Sequence, residues 1–325
     1  MPRALLRAFL IVSGSAALMG EPVCAQEPAP PKSEDPLGAH VHTEDADRFA
    51  EMFARSNGKP NAETIQRDYL DPGTQAVAIF TPNRIQNAAR LAKAIAADPA
   101  AYQVAIDRCL PVVKQSSAEL QAIYLGLHGL YPNRPLPSVY ALFGAGNSGG
   151  TAGDGAQVLG LEVLCAITKD DADLRNWLRL LFAHETVHTW QDQSEDAAPN
   201  PLLMAVLQEG AADYVASLVL GRDPSPERAA WALPRETDLW RQLQSDLAVF
   251  DSDATEEERQ RASSRWVGNY QNAPDGWPYE LGYWMGMRIW QRYVDQAADR
   301  RAAVETVLSW SDAQAILDAA GGPKG

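Results

Sequence analysis

The sequence predicts an α+β protein that is predominantly helical, with a small β-hairpin or sheet directly before a long helix. Apolar residues recur at helical spacing through most of the chain. Only residues 138–145 and 157–166 are instead short runs rich in Val, Leu, Ile, Tyr and Phe, and the glycine-rich segment 146–155 joins them. Two such runs around a glycine-rich connection are typical of a hairpin.

Helices are expected on both sides of this hairpin. Helical periodicity covers residues 45–55, 62–70, 83–97, 99–113 and 117–129 before it, and 172–192, 201–220, 236–250, 255–265, 278–296 and 300–319 after it. The helix at 83 follows Thr81 and Pro82, a capping residue and a residue that suits a first helical turn.

The first 25 residues have the features of a secretory signal peptide. Arg3 and Arg7 give a positive start, residues 8–20 a short apolar core, and Val23-Cys24-Ala25 a cleavage site with small residues. The apolar core is too short to span a bilayer. Because Val23 is not the small residue expected before a lipidated cysteine, we expect cleavage after Ala25 and release into the periplasm or outside, without membrane contact.

The mature chain is expected to begin with a flexible leader, residues 26–44, which is rich in proline and acidic residues. Residues 45–320 then form one domain, either undivided or as two lobes around a cleft. The net charge of −14 argues against nucleic acid as a partner, because phosphate binding requires clustered Lys and Arg. The two remaining cysteines, Cys109 and Cys165, either pair in an oxidising compartment or stay as buried thiols.

The helix over 172–192 carries the most informative motif of the chain. Residues 184–188 read His-Glu-Thr-Val-His. Positions i and i+4 lie one above the other on a helix, so His184 and His188 can direct their imidazoles at one ion. Glu185 between them is a candidate general base. The alternative is a helix whose histidines only hydrogen-bond to their neighbours.

A third ligand is expected on the next helix. Glu209 and Asp213 lie one turn apart on it, among the small residues Gly210, Ala211 and Ala212. Two histidines and a glutamate are an established zinc set that leaves a fourth position open. Asp213 is the candidate outer partner that orients a ligating histidine. We therefore expect one Zn²⁺ ion on His184, His188 and Glu209.

These motifs resemble those of the gluzincin group of zinc metallopeptidases, and more closely a bacterial family of zinc-dependent proteases of unknown function. The resemblance also rests on the sequences Phe-Gly-Ala-Gly-Asn-Ser-Gly-Gly-Thr at 143–151, Leu-Gly-Leu-Glu at 159–162 and Tyr-Glu-Leu-Gly-Tyr-Trp-Met-Gly at 279–286. It implies a zincin-like fold and a strand before the zinc helix that pairs with extended substrate. Residues 157–165 are the candidate edge strand, with a purely structural hairpin as the alternative.

The expected reaction is peptide-bond hydrolysis by a zinc-activated water, with Glu185 as general base and a peptide or protein as substrate. Tyr283 is the first candidate for stabilising the oxyanion, although an aromatic residue at this helical spacing also suits a core. The candidate substrate-binding residues are Asn147, Gly160 and Tyr279, whereas Glu162 is expected to face solvent.

Two other functions remain open. One is a zinc hydrolase that acts on a non-protein amide. The other is a non-catalytic, zinc-containing binding or chaperone-like module. A carboxylate beside the metal, at Glu185, favours catalysis over a purely structural ion, and the sequence does not predict the oligomeric state.

Overall fold

The computed structural model describes residues 33–191, 200–270 and 272–322. The expected signal peptide, residues 1–25, and residues 26–32 of the expected leader lie outside the described residues. Over the described part, the chain is mostly helical and contains one mixed β-sheet. The predicted α+β class is therefore confirmed.

The helices and strands follow one another with short connections. The strands are β1 (Val41–His42), β2 (Ser138–Leu142), β3 (Gly150–Gly153) and β4 (Ala156–Gly160). The helices before the sheet's last three strands are α1 (Glu44–Arg55), α2 (Ala62–Ile65), α3 (Gln75–Phe80), α4 (Ala88–Ala97), α5 (Pro99–Val104), α6 (Leu110–Lys114) and α7 (Ser117–Leu130). Those after it are α8 (Leu161–Ile167), α9 (Asp171–His188), α10 (Pro201–Leu220), α11 (Pro226–Ala232), α12 (Glu236–Ala248), α13 (Glu256–Ser263), α14 (Leu281–Gln296), α15 (Arg300–Thr306) and α16 (Ala313–Ala320).

The strand order in the sheet is β1-β2-β4-β3. Strand β2 lies parallel to β1 and to β4, whereas β3 and β4 run antiparallel. Asp154 and Gly155 form the two-residue turn between β3 and β4, and both have positive φ, 45° and 70°. Two consecutive positive φ angles are what a type I′ hairpin turn requires.

The expected pairing of the two apolar runs as a hairpin is wrong, because the glycine-rich connection is itself a strand. Residues 156–160 lie in the middle of the sheet between β2 and β3, and residues 161–167 turn into α8. The candidate edge strand at 157–165 is therefore also wrong. The strand at this edge of the sheet is β3, whose glycines and small residues gave only a weak strand signal.

Most expected helices are present within a few residues. Short π-helical turns at 66–70, 81–85 and 105–109 interrupt the first group, so that the helix expected from residue 83 begins at Ala88. The helix expected at 300–319 is two helices, α15 and α16. Three short helices, α3, α8 and α11, were not predicted.

Part of the expected flexible leader belongs to the fold. The Glu34 N–H donates to the carbonyl of Leu136 at 2.9 Å, and Val41 pairs with Val139 in the sheet. The described residues all belong to one compact unit.

A close helix crossing lies in the core, between α10 and α14. A Cβ added to Gly210 would overlap the backbone of Gly286, and one added to Gly286 would overlap the carbonyl oxygen of Val206. Backbone cannot move aside as a flexible side chain can, so both positions require glycine. The crossing brings the residues beside it, Glu209 on α10 and Tyr283 on α14, towards the same region.

By length and composition, α10 could also cross a membrane, but 61% of its most apolar 18-residue stretch is buried inside the fold. Its apolar side chains pack against other helices, as expected for the core helix of a folded domain.

A disulfide joins Cys109 to Cys165, with their Cα atoms 5.9 Å apart. The two cysteines are therefore paired and are not buried free thiols, the two alternatives that the sequence left open. Next to it, the Arg108 guanidinium donates to the carbonyl oxygens of Cys165 at 2.7 Å and Thr168 at 3.1 Å, at the end of α8. A disulfide is typical of proteins in an oxidising compartment.

Gly286→Ala is expected to lower the free energy of unfolding by at least about 2 kcal/mol, because the new methyl group would force α14 away from α10. Chemical denaturation followed by circular dichroism measures this change.

Gly129→Ala is the matched control. Gly129 lies in α7 with no atom within 4 Å of a new Cβ, so alanine should stabilise the protein by up to about 1 kcal/mol through helix propensity. Equal stability of Gly286→Ala and the wild type would contradict the close crossing.

Candidate metal-binding site

The cluster begins with α9, which places two histidines one turn apart near its end. The helix starts at an Asp170 cap, whose side chain accepts the Asp173 N–H at 2.8 Å. Leu174, Leu178 and Phe182 bury its apolar face in the core. His184 is 7% exposed, so its imidazole is directed into the protein.

The neighbouring helix α10 supplies the two carboxylates. The Asn200 side chain caps this helix by accepting the Leu203 N–H at 3.1 Å. Glu209 and Asp213, one turn apart, both face α9. Asp213 is only 4% exposed. The expected grouping of His184, His188 and Glu209 is present in the structure, with the candidate ligand atoms within 4.8 Å of one another.

The three side chains converge on one point. The Glu209 Oε2 atom lies 3.3 Å from the Nε2 atoms of both His184 and His188. The two Nε2 atoms are 3.1 Å apart. The Glu209 Oε2 atom is buried and has no hydrogen-bond partner among the described residues, although a buried carboxylate oxygen normally has one.

The second nitrogen of each imidazole is held by an oxygen acceptor. The His184 Nδ1 lies 3.0 Å from Asp213 Oδ1, so it must carry the proton and donate it to the carboxylate. The His188 Nδ1 lies 2.7 Å from Gln191 Oε1, and the Gln191 Nε2 donates to the carbonyl of Gln208 at 2.9 Å. With Nδ1 as donor, the neutral form of each ring would present its Nε2 lone pair to the cluster.

The charges of the cluster are strongly coupled. Burial lowers the pKa of His184, but the nearby carboxylates of Asp213 and Glu209 outweigh burial, so the pKa is raised well above its usual value. Burial raises the pKa of Glu209, yet the two histidines outweigh burial and lower it. Both shifts have the same origin, since buried carboxylates favour positive charge at this point.

Tyr283 covers one side of the cluster. Its ring stacks on His184 with centroids 5.7 Å apart and planes 5° from parallel. Burial raises the pKa of its phenol well above the usual value, so the phenol stays neutral at physiological pH. The Arg228 guanidinium lies 5.4 Å from the centre of this ring and 3.6 Å from Asp213 Oδ2.

Sequence reasoning missed two of these residues, Gln191 and Arg228. Gln191 follows the end of α9, three positions after His188, and that spacing could have indicated it as an outer partner. Arg228 lies on α11, a helix that was not predicted, so no sequence signal joined it to Asp213.

A cavity of about 390 Å³ opens at the cluster. It is lined by Arg84, Gly150, Thr151, Ala152, His184, Glu185, His188, Gln191, Gln208, Glu209 and Tyr283. Strand β3 forms one wall, and the Glu185 carboxylate lies against it: a Cβ added to Gly150 would be 3.2 Å from Glu185 Oε1.

The outer edge of β3 faces this cavity. The Gly160 N–H donates to the carbonyl of Gly149, and in an antiparallel ladder hydrogen-bonded pairs alternate with pairs that are not hydrogen-bonded. In the register Gly150 to Leu159 and Ala152 to Gln157, Gly150 and Ala152 therefore direct their N–H and C=O groups away from β4. No strand within the described residues pairs with this edge.

The three candidate substrate-binding residues do not line this cavity. Asn147 is exposed in the loop before β3. Gly160 is buried in β4, where a Cβ would overlap the carbonyl oxygen of Ser148. Tyr279 is 45% exposed and its ring contacts Tyr270 instead. The structure thus brings Tyr283 to the cluster but not these three.

The expectation that Glu162 faces solvent is also wrong. Its carboxylate is buried and accepts the N–H groups of Gly144 at 2.9 Å and Gly146 at 3.0 Å. Burial raises its pKa, while these two hydrogen bonds oppose the shift. Glu162 therefore fixes the glycine-rich loop between β2 and β3.

The fold and the site together define a mainly helical α+β protein with a partly buried His-His-Glu cluster under an open strand edge. Among known families, the model for the gliding motility protein GldB matches residues 174–321, just under half of the chain. The matched part includes α10, α14 and all but the first turn of α9, and with them His184, His188, Glu209 and Tyr283. No curated protein and no solved structure matches the chain.

This match corrects the interpretation as a gluzincin-type peptidase. The description of the matching family names gliding motility and no peptidase activity. The expected peptide hydrolysis, with Glu185 as its general base, is therefore contradicted. A five-residue motif on a helix indicates metal-ligand geometry, but the same geometry occurs without hydrolysis.

Glu162→Gln is expected to destabilise the protein by about 1–3 kcal/mol, because the amide would direct an NH₂ group at one of two backbone N–H donors. Thermal or chemical denaturation measures the change. The control, Glu63→Gln on the exposed surface of α2, should change stability by less than about 0.5 kcal/mol. If both variants had the same stability, the role of Glu162 in fixing the loop would be wrong.

Proposed function

We propose that this protein is a non-catalytic, metal-binding subunit of a protein complex in the cell envelope. The observation that carries the proposal is the convergence of two imidazole Nε2 atoms and the buried Glu209 Oε2 beneath the open edge of β3. The match to a gliding motility family, which is a lipoprotein family, supports an envelope location and an assembly of proteins.

A divalent cation would stabilise the arrangement of donor atoms in the cluster. When both rings are neutral, their Nε2 lone pairs, 3.1 Å apart, repel each other, and each also faces a carboxylate oxygen at 3.3 Å. A cation among them would replace the proton that the raised pKa of His184 favours, and it would bind Glu209 Oε2, which has no hydrogen-bond partner among the described residues. Nitrogen and carboxylate ligands of this number suit Zn²⁺, with His184, His188 and Glu209 as ligands.

The surrounding contacts support the same assignment. Asp213 and Gln191 hold the Nδ1 atoms, which is how ligating histidines are usually oriented. The fourth position of a tetrahedral ion would face the cavity. In this proposal Zn²⁺ supplies a binding point for a group from a partner protein, or for water, and Tyr283 shields it from one side.

The location rests on the amino-terminal sequence and on the disulfide. A signal peptide would deliver the chain to an oxidising compartment, where the Cys109–Cys165 bond is stable. We retain cleavage after Ala25, because Val23 precedes Cys24, where lipid attachment needs a small residue. Membrane association would then come from partner proteins.

We also propose a zincin-like arrangement of the metal helices, although the chemistry differs. The layout of a mixed sheet, a helix with two ligands and a second helix with the third supports it. Function resides in the site and not in the scaffold, so a shared layout carries no reaction with it.

Partner binding would use the edge of β3. The outward N–H and C=O groups of Gly150 and Ala152 can pair with an extended segment, which adds a strand to the sheet. Main-chain hydrogen bonds give such binding its affinity, and adjacent side-chain pockets give its specificity.

Purified protein is expected to bind one Zn²⁺ per chain, and Zn²⁺ should raise its melting temperature. His188→Ala and Glu209→Ala should lose this ion, and Asp213→Asn should bind it about 10- to 100-fold more weakly because His184 is no longer oriented. Elemental analysis and calorimetric titration measure both effects.

His128→Ala is the matched control, since His128 is exposed on α7 away from the cluster and should not affect zinc. Wild-type protein that takes up no zinc from a chelator-buffered solution would refute the metal site.

Ala152→Pro is expected to abolish binding of extended peptides without loss of stability. Proline removes an N–H that points out of the sheet, and it is tolerated on an edge strand for that reason. A library of unstructured peptides, screened by fluorescence polarisation against zinc-loaded protein, measures binding, and mass spectrometry of the same samples should show every peptide intact.

Thr151→Pro is the control, because the Thr151 N–H points towards β4 in this register. It should lower the melting temperature, whereas Ala152→Pro should not. Zinc-dependent cleavage of library peptides, prevented by a chelator, would overturn the non-catalytic proposal.

A further inference from the structure

A groove runs along the outer edge of β3 beyond the metal cluster. A second cavity has a volume of about 270 Å³. It is lined by residues of α3, by the turn after α3, by β3 and by Asp154, which follows β3. Arg84, Thr151 and Ala152 line both this cavity and the one at the cluster. The two cavities are therefore adjacent parts of one groove, and Arg84 lies at their junction.

Arg84 has no partner for its charge among the described residues. No hydrogen bond or ion pair joins its guanidinium to any of them, and its Nε atom is buried without a hydrogen-bond partner. Arg84 is half-buried, and its guanidinium is free to bind an acceptor supplied by a ligand in the groove.

The backbone around Arg84 holds it in this position. Gln86, two residues later, has φ 66° and ψ −54°, and the Asn87 N–H donates to the carbonyl of Ile85 at 2.9 Å. This is the rare and strained form of the γ-turn, which persists only where the surrounding structure fixes it. Ile85 is completely buried and anchors the segment next to Arg84.

Apart from the two histidines of the cluster, the other charged side chains that line the groove are acidic. Glu185 and Glu209 line its end at the cluster, and Asp154 lines the opposite end. Arg84 is the only Lys or Arg among the described lining residues of the two cavities. A ligand that lies along β3 thus meets the Arg84 guanidinium at the centre of the groove, and the proposed Zn²⁺ would be a second positive charge at its cluster end.

We infer that Arg84 binds a carboxylate of the polypeptide segment that pairs with β3. This inference rests on the proposed partner binding at β3 and specifies which segment is recognised. A guanidinium pairs with a carboxylate through two parallel hydrogen bonds, which gives geometric selectivity as well as affinity. The carboxylate comes either from an Asp or Glu side chain or from a free carboxyl terminus.

The test uses two random heptapeptide libraries, screened against purified wild-type protein with Zn²⁺. One has a free carboxyl terminus, and the other is blocked at both ends. Enrichment of Asp or Glu at a fixed position in the blocked library assigns a side chain, and enrichment confined to the free library assigns the terminus. For selected peptides, Arg84→Gln should weaken binding at least tenfold.

Charge reversal gives a sharper result than loss of binding. Arg84→Glu should select Lys or Arg at the position where the wild type selects an acid, which a merely unfolded variant could not do. Arg241→Gln is the control, since Arg241 is 70% exposed on α12, and it should leave selection and affinity unchanged.

Each failure has a distinct meaning. Wild-type protein that selects peptides without preference for a carboxylate would overturn the role of Arg84 and leave partner binding at β3 intact. An acid preference that survives Arg84→Gln but disappears with a chelator would assign the carboxylate to the metal and overturn the inference as well. If the wild type binds no peptide in either library, the proposed partner binding fails, and the inference fails with it.

Discussion

The close crossing of α10 and α14 is the constraint on which the rest of the site depends. Gly210 and Gly286 allow the two backbones to meet, and no other residue fits at either position. Glu209 and Tyr283 lie beside this contact, so the crossing determines where the third candidate ligand and the covering aromatic ring stand relative to α9. A wider crossing would separate Glu209 from the two histidines that it now approaches at 3.3 Å.

The electrostatics of the cluster follow from this packing. Burial removes water from Asp213, His184 and the Oε2 atom of Glu209, and each then depends on its neighbours for compensation. Asp213 is compensated by His184 and Arg228, whereas Glu209 Oε2 has no hydrogen-bond partner of its own. This difference is the reason for proposing a bound cation, because a complete hydrogen-bonded network would have satisfied that oxygen.

The edge of β3 connects the cluster to the proposed partner-binding surface. Strand edges are usually protected from pairing. This edge is short, and it lies in a groove that also contains Arg84. The type I′ turn at Asp154 and Gly155 fixes the register, and the register decides which backbone groups point outward. Residues 150–152 therefore serve both the sheet and the groove.

The sequence by itself determined the helical content, the candidate ligand set and its outer partner Asp213. These depend on spacing within one or two helices, and local spacing is visible in a sequence. Only the tertiary structure decided the sheet order, the burial of Glu162, the disulfide and the contacts of Arg84, Gln191 and Arg228. Strands β2 and β4 pair in parallel, and the segment between them includes β3, whose glycine-rich sequence is a weak strand signal. The sequence pattern of a strand also does not specify which strand it pairs with. The prediction of peptidase function was wrong because it rested on the spacing of the candidate ligands. That spacing specifies the geometry of a metal site, but it does not specify the reaction or the partner of the site.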